Sequence, residues 1–334
     1  MTNRYSISVV IPTYNGEQFL AAAIESVLDQ DFLPSEIILI DDCSRDSTVK
    51  IAINFATVSS VPIRLIQLPS NSGGPSRPIN VGVREAIGDL ILVLDQDDIL
   101  HPLALKRIEN AFRQFPDAEC VFHLAGKHSE LPQDKFERSN ELIADLESSV
   151  ACAEGPRIAP PGSLLPLVVR HGNFLVGYPG FCFKRSTYFT VGGVDESYRI
   201  TGDTAFLTKL LRNSTSVYVP SIGYYKRNHE TNACNNTPLM FYELGLVLCG
   251  IGDGPGTTVP SRLLEEAQAK VEIFAYWFRK ANEFDFAISL YRSCLKLSAS
   301  KIRMGVLIFK SRGERMFVFF TRRKPTLTYY TRSK

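Results

Sequence analysis

Over about the first 115 residues, short runs that are apolar at every position alternate with stretches whose apolar residues recur at helical spacing. Ile7–Ile11, stopped by Pro12, predicts a buried strand. Leu20, Ala23, Ile24, Val27 and Leu28 then follow helical period. A second strand is expected at Glu36–Ile40, closing on Asp41-Asp42, with Ser44–Thr48 supplying caps for a helix that runs to about Val58. Ile63–Leu68 predicts a third strand. The next helix is marked by Ile79, Gly82, Val83, Ala86 and Ile87, with Pro78 tolerable at its first position. Leu90–Leu94 predicts the fourth strand, followed by Asp95-Gln96-Asp97-Asp98 and a helix from about Pro102 to Phe115. Strands this apolar are covered on both faces, which implies a parallel sheet built from βαβ units.

Beyond residue 115 the pattern changes. From Ala125 to Val176 periodicity is lost among Pro, Ser and charged residues, and insertion loops with short helices are expected. Regular patterning returns at Gly180–Phe183 and in a late strand at Val217–Val219. Residues 262–298 are helical by period, through Leu263, Leu264, Ala267, Val271, Phe274 and Phe278. The last residues alternate apolar clusters, Val306–Phe309 and Met316–Phe320, with Lys and Arg.

The polar residues of the first half gather at strand ends: Thr13, Tyr14 and Asn15 after the first strand, Asp41 and Asp42 after the second, Asp95, Asp97 and Asp98 after the fourth. In open α/β sheets the carboxyl ends of the strands are where ligands bind. Three carboxylates within four residues repel one another unless a cation or hydrogen-bond donors are present. A hard divalent ion such as Mg²⁺ or Mn²⁺ suits them, since it takes a few protein oxygens and completes its shell with phosphate and water. Taken alone, the triplet fits a helix N-cap cluster equally well.

Composition narrows the class. A 334-residue chain accommodates about two domains, and 45% hydrophobic against 22% charged residues excludes general disorder. The net charge of +2 argues against a nucleic-acid binder, but it hides an asymmetry. Residues 301–334 hold ten Lys/Arg and one acid, a net of +9, which leaves −7 on residues 1–300. Such a basic tail suits an anionic membrane surface; the alternative is a solvated terminus. The seven cysteines are odd in number and lack metal-ligand spacing, as expected of reduced thiols in a cytosolic compartment. With neither a signal-peptide core nor an apolar span of about 18 residues, the expected location is cytoplasmic, with peripheral membrane contact through the tail.

Four stretches add specificity: Ser8-Val-Val-Ile-Pro-Thr-Tyr-Asn15, Glu36-Ile-Ile-Leu-Ile-Asp-Asp-Cys-Ser44, Asn71-Ser-Gly-Gly-Pro-Ser76 leading to Asn80 and Gly82, and Leu92-Val-Leu-Asp-Gln-Asp-Asp98. In this order and spacing they resemble the family 2, GT-A type inverting glycosyltransferases of bacterial cell-surface glycan biosynthesis. Gly192-Gly-Val-Asp-Glu196 with Gly202-Asp203 resembles the acceptor-side block, so the resemblance covers roughly residues 6–232. It implies a Rossmann-like nucleotide-diphospho-sugar transferase fold, with a mixed, mainly parallel sheet and helices on both faces. The expected organisation is a catalytic domain over 1–235 (donor half 1–115, acceptor half 116–235), a helical extension over 236–300 and the basic tail.

Site roles follow from the same resemblance. Pro12 and Tyr14 would line the nucleobase pocket, and Asp42 would reach base or ribose with Asp41 in support. Asp97 would ligate Mn²⁺ or Mg²⁺, with Asp95 and Asp98 on the donor side. Asp203 would be the general base, and His229 would complete metal or diphosphate binding. Read as residues alone, Asp203 could equally cap a helix and His229 could be a surface loop residue. Two departures stand out: Gly202 replaces the first acid of the family's usual pair, and Ile79 stands where members often carry Arg, leaving Arg77 or Arg84 as substitutes. The implied activity is metal-assisted transfer of a sugar from a nucleotide-diphosphate-sugar, a UDP-sugar foremost, to a glycan or lipid-linked hydroxyl. The alternative is a non-catalytic nucleotide-sugar binding or scaffolding protein on the same fold. A nucleotidyltransferase would need a Gly-rich basic loop after the first strand, which Pro12-Thr-Tyr-Asn-Gly16 does not supply.

Overall fold

A computed structural model describes residues 4–127, 146, 155–230, 232–252, 258–281, 285–287, 289–290 and 293, and the backbone of 306–311, 314–319 and 326–328. The apolar runs become strands β1 (Ile7–Thr13), β2 (Glu36–Asp41), β3 (Ile63–Gln67) and β4 (Leu90–Val93), joined by helices α1 (Leu20–Leu28), α2 (Thr48–Val58) and α3 (Ser76–Glu85). All four strands are parallel, in the order β3-β2-β1-β4. Every residue of β1, β2 and β4 is buried, as two-sided coverage requires, whereas the edge strand β3 is only partly buried and tolerates Arg64 and Gln67.

One helix boundary differs from the expected one. α3 starts at Ser76, so Pro78 lies third in its first turn, where a missing N–H costs nothing. It stops at Glu85, and Ile87 is 77% exposed instead of facing the core. Distant side chains capture the next amides: Glu36 accepts from the Ile87 N–H (2.8 Å) and the Ser8 hydroxyl from the Gly88 N–H (2.9 Å). Arg64 also donates to the Glu85 carbonyl at 2.6 Å.

After β4 come β5 (Ile99–Leu100), α4 (Ala104–Gln114), β6 (Cys120–Lys127), β7 (Arg157–Ala159), β8 (Phe181–Lys184) and β9 (Ser216–Lys226). β8 runs antiparallel to β4 and to β6, β6 parallel to β9, and β5 and β7 antiparallel to β9. The result is one mixed sheet ordered β3-β2-β1-β4-β8-β6-β9-β5, with β7 also on β9. Within the unpatterned stretch the described part holds the end of β6, Leu146, β7 and the helix Leu165–His171; the remainder of that expectation lies outside the described residues.

The connections run β1 to β2 to β3 on one side and then cross to β4 on the other, so strand order reverses between β1 and β4. That switch point, on the carboxyl rim, is where an α/β sheet opens a crevice.

The chain forms two compact units, Met1–Asn235 and Asn236–Lys334. The second contains helices Thr237–Cys249 and Ser261–Lys280, the former capped by the Asn236 side chain accepting from the Leu239 N–H. Backbone strands Val306–Ser311, Glu314–Phe319 and Thr326–Thr328 pair antiparallel within the segment expected as a basic tail. Among the described residues, no helix is long and apolar enough to cross a membrane.

Candidate functional site

The rim is built by interlocking loops. Beyond β1 the Asn15 N–H donates to the Ser44 hydroxyl and the Asn15 side chain accepts from the Arg45 N–H, both at 2.9 Å. The Gly16 N–H donates to the Thr48 hydroxyl at 2.7 Å, and Glu17 accepts from the Ser47 N–H at 3.0 Å. The polar run Ser44–Thr48 therefore binds the loop after β1 more than it caps α2. Ser47 makes no side-chain cap, and Asp46 instead accepts from the Thr48 N–H.

Gln96 joins the two sides of the switch point. Its carbonyl accepts from the Tyr14 N–H and its amide donates to the Tyr14 carbonyl, each at 2.9 Å. A Cβ on Gly16 would fall 2.2 Å from the Gln96 carbonyl oxygen, so only glycine leaves room for this pair. Tyr14 keeps 44% of its surface exposed. Pro12, the penultimate residue of β1, is buried opposite Ile40.

Asp41 and Asp42 are both buried at the end of β2. One Asp41 oxygen accepts from the Ser44 N–H at 3.1 Å, and the other has no hydrogen-bond partner among the described residues. Asp42 accepts from the Ser72 N–H (2.9 Å) and hydroxyl (2.8 Å), which fixes the loop before α3. Burial raises its pKa against those bonds, and Arg77 opposes the rise. Ile79 is fully buried in α3, so of the two substitute cations it is Arg77 whose charge reaches an acid of this rim. Asn80 donates to the Val194 carbonyl and to Glu196, fastening α3 to the Gly192–Glu196 block.

The acids after β4 divide by what they meet. Asp97 lies 2.8 Å from the Nε2 of His229, 132 residues later. The imidazole stacks on Phe19 at 4.3 Å, and Arg227 crosses the same ring at 5.2 Å while donating to the Asp97 and Phe19 carbonyls. Asp98 is wholly buried (0% exposed), 3.5 Å from the Lys226 ammonium, and accepts from the Arg227 N–H. This revises its expected donor-side role: Asp98 anchors the end of β9 beneath the rim. Burial, offset by Lys226, pushes the Asp98 pKa up to about 7. Burial opposes the Lys226 charge, yet Asp98, Asp95 and Asp97 together hold its pKa above the ordinary lysine value. Asp95 is raised by burial against Lys226, with Asp98, Asp97 and Asp203 adding to the rise.

Asp203 comes from another element. It lies in the first turn of helix Gly202–Asn213, after the N-cap residue Thr201, and so does not serve as that helix's N-cap. Its carboxylate accepts from the Asn173 amide and from the Thr204 N–H, and burial raises its pKa. Asn173, Gln96, Lys226, Arg227 and Phe19 thus complete a site that sequence reading assigned to the acids alone. Gln96 lies inside the Asp95–Asp98 motif and Lys226 and Arg227 lie just before His229, whereas Asn173 and Phe19 carried no local signal.

Among the described residues no three His, Cys, Asp or Glu side chains converge as a self-sufficient metal cage. One carboxylate and one imidazole do converge in Asp97 and His229. That pair fits a hard divalent ion whose remaining ligands are phosphate oxygens and water.

Residues 8–162 match the family described as Glycosyl transferase family 2. Poly(ribitol-phosphate) beta-N-acetylglucosaminyltransferase TarS of Staphylococcus aureus is 29% identical over 152 residues, 45% of this chain and 26% of that protein. The chain thus spans about a quarter of the length of that curated relative. The crystal structure of S. aureus TarS 1–349 in complex with UDP-GlcNAc superposes with a TM-score of 0.60 at 18% identity, covering 97% of this chain and 99% of that one. A mannosyltransferase from Pyrobaculum calidifontis in complex with GDP-Man and Mn²⁺ gives 0.54 at 15% identity over 90% and 89%. These structures share the GT-A fold described above.

Proposed function

We propose that this chain, a member of glycosyltransferase family 2 through residues 8–162, transfers a sugar with inversion from a nucleoside-diphosphate-sugar to a hydroxyl of a glycan or lipid-linked acceptor. The observation that carries the reading is convergence at one rim: Asp97 after β4 meets His229 from a distant element, and the charge of Asp203 reaches Asp95. A UDP-sugar is the favoured donor, since the TarS neighbour was solved with UDP-GlcNAc. Residues 1–115 hold the donor, residues 116–235 receive the acceptor, and 301–334 contact an anionic membrane surface.

Breaking the bond between anomeric carbon and phosphate puts negative charge on the leaving diphosphate and positive charge on the sugar. Asp97 and His229 would hold Mn²⁺ or Mg²⁺, which when bound would supply Lewis-acid neutralisation of that leaving group. Tyr14 offers its exposed ring to the nucleobase, and Asp41, with its unpartnered oxygen, accepts from the base or ribose beside Asp42. Asp95 faces the donor across the cluster. Asp203 removes the acceptor proton as the acceptor oxygen attacks the face opposite the diphosphate, assistance typically worth ~10²–10⁴-fold. Burial raises its pKa, which makes its carboxylate a stronger base, and the Asn173 amide fixes the direction of its lone pairs.

The test is a panel of UDP-, GDP-, CDP- and dTDP-sugars with and without Mn²⁺ or Mg²⁺, read by thermal shift and nucleoside diphosphate release. A metal-dependent shift with slow release from one donor supports transfer and names the donor. Metal-dependent binding without release from any donor–acceptor pair supports the non-catalytic reading, which the lost acid at Gly202 favours. Absence of nucleotide binding overturns both.

A further inference from the structure

Helix Leu165–His171 ends on Gly172, whose φ of +69 is a backbone conformation that glycine adopts without strain. The turn carries Asn173 to Asp203, and the partners of each Asn173 side-chain atom settle which atom it is. One accepts from the Leu175 backbone N–H at 3.0 Å, so it is the carbonyl oxygen. The other is therefore the amide nitrogen, and it donates to Oδ2 of Asp203. An amide held this way cannot flip to present Asp203 with an acceptor.

The two oxygens of Asp203 are not equivalent. Oδ1 accepts from the Thr204 N–H and from the Thr204 hydroxyl, the latter at 3.1 Å, which occupies both of its lone pairs. Among the described residues Oδ2 accepts only from Asn173, which leaves it one lone pair. Asp203 and Asn173 each keep some surface open to solvent, whereas Gly202 and Thr204, on either side of Asp203, are buried.

The segment that carries Asn173 also runs beside Asp95, since a Cβ on Gly177 would lie 3.1 Å from an Asp95 carboxylate oxygen. Its backbone is held in place from β9 and β6. The Tyr224 hydroxyl donates to the Leu175 carbonyl at 2.6 Å, and His123 lies 2.8 Å from the Pro179 carbonyl.

We propose that Asn173 is a positioning residue for the transfer, directing the remaining lone pair of Asp203 Oδ2 at the acceptor hydroxyl. This rests on the reading of Asp203 as the base and deepens it to a single atom. The acceptor O–H bond breaks with its proton passing to Oδ2, and the electron pair left on the acceptor oxygen bonds the anomeric carbon. The bond from that carbon to the phosphate oxygen breaks, and its pair leaves on the diphosphate. A donor on Oδ2 favours the ionised carboxylate, the form able to take the proton. Lys226 of β9, Asp95 after β4 and the Tyr178 phenol also act on or feel the Asp203 charge, and the Asn173 variants below retain all three.

Asn173→Asp separates this role from loop structure. It keeps an oxygen for the Leu175 N–H but turns the donor facing Asp203 into an acceptor, whereas Asn173→Ala removes both. The whole chain as wild type, both variants and Asp203→Asn is followed by carboxyl-carbon NMR titration of labelled aspartate, by UDP affinity in Mn²⁺, and by the pH profile of UDP release from UDP-GlcNAc. In Asn173→Asp the Asp203 midpoint and the acid limb of kcat should rise together by about one pH unit or more, with UDP affinity unchanged and plateau kcat down about tenfold. Asn173→Ala should move both in the same direction by less. An unmoved Asp203 titration in Asn173→Asp assigns the residue to loop structure and overturns the proposal, as does a moved titration with an unmoved acid limb. If Asp203→Asn turns over like wild type, the base reading and the proposal fall together. A wild type that releases no UDP counts against this donor, and the titration then decides on Asn173.

Discussion

The Tyr14 peptide and the Gln96 side-chain amide exchange two hydrogen bonds of 2.9 Å, closing the gap between the ends of β1 and β4. The pair spans the point where strand order reverses, so it sets the width of the crevice a nucleotide would enter. Gln96→Ala removes both bonds and frees the loop at Gly16. Denaturant unfolding should show a loss of about 1–2 kcal/mol. UDP affinity should fall by roughly fivefold or more, the equivalent of about 1 kcal/mol.

Asp97 and His229 lie 2.8 Å apart across the rim. Asp97→Asn and His229→Gln should each weaken Mn²⁺-supported UDP binding by roughly 10–100-fold, with little effect on binding measured in chelator. Equal losses with and without Mn²⁺ would mean that the two residues contact the nucleotide directly.

Asp203 must be ionised to act as a base, and burial raises its pKa above the ordinary carboxylate value. Turnover should therefore fall as pH drops through that raised pKa, giving an acid limb with a midpoint above about 4. Asp203→Asn should lower kcat by roughly 10²–10⁴-fold, abolish the limb and leave donor affinity near wild type. Turnover within a fewfold of wild type would move the base elsewhere.

Lys226 is the cation beneath the acids. Asp98 ionises at about pH 7 in the folded chain, above its unfolded value. Its contribution to stability is therefore complete below about pH 4 and is lost as pH rises through about 7. Lys226→Met raises the Asp98 pKa further and leaves buried carboxylates without a counterion. Unfolding measured at pH 8 should show a cost of about 3 kcal/mol, with a much smaller cost at pH 5.

The glycine at position 202 has a structural reason that a substitution can expose. Gly202→Glu restores the family's acid but places its Cβ against Ser76 and Tyr178. It should lower stability by about 1–3 kcal/mol, read as a drop in unfolding midpoint, and should not raise turnover.

Local pattern determined a great deal. The wholly apolar runs at Ile7, Glu36 and Leu90 specified buried parallel strands, because only a strand covered on both faces can bury every side chain. Where such strands end, polar residues must follow, so Tyr14, Asp41, Asp42, Asp95 and Asp97 were legible as a rim before any fold was seen. The four motifs then pointed to the family.

Tertiary structure decided what each rim residue meets. Ile87 fitted the helical period of α3, but Glu36 and Ser8 capture the amides that would have continued the helix. Asp98 looked equivalent to Asp97, yet one turns down to Lys226 and the other across to His229, about 130 residues away in both cases. Pro12 shares a motif with Tyr14 but lies inside β1, buried, while Tyr14 lies just past the strand end and stays exposed. Gly202 reads as a lost acid until Ser76 and Tyr178 arrive from separate segments to fill its place. Periodicity and capping act between residues a few positions apart, and these partners are joined only by crossovers whose packing brings distant segments to the same rim.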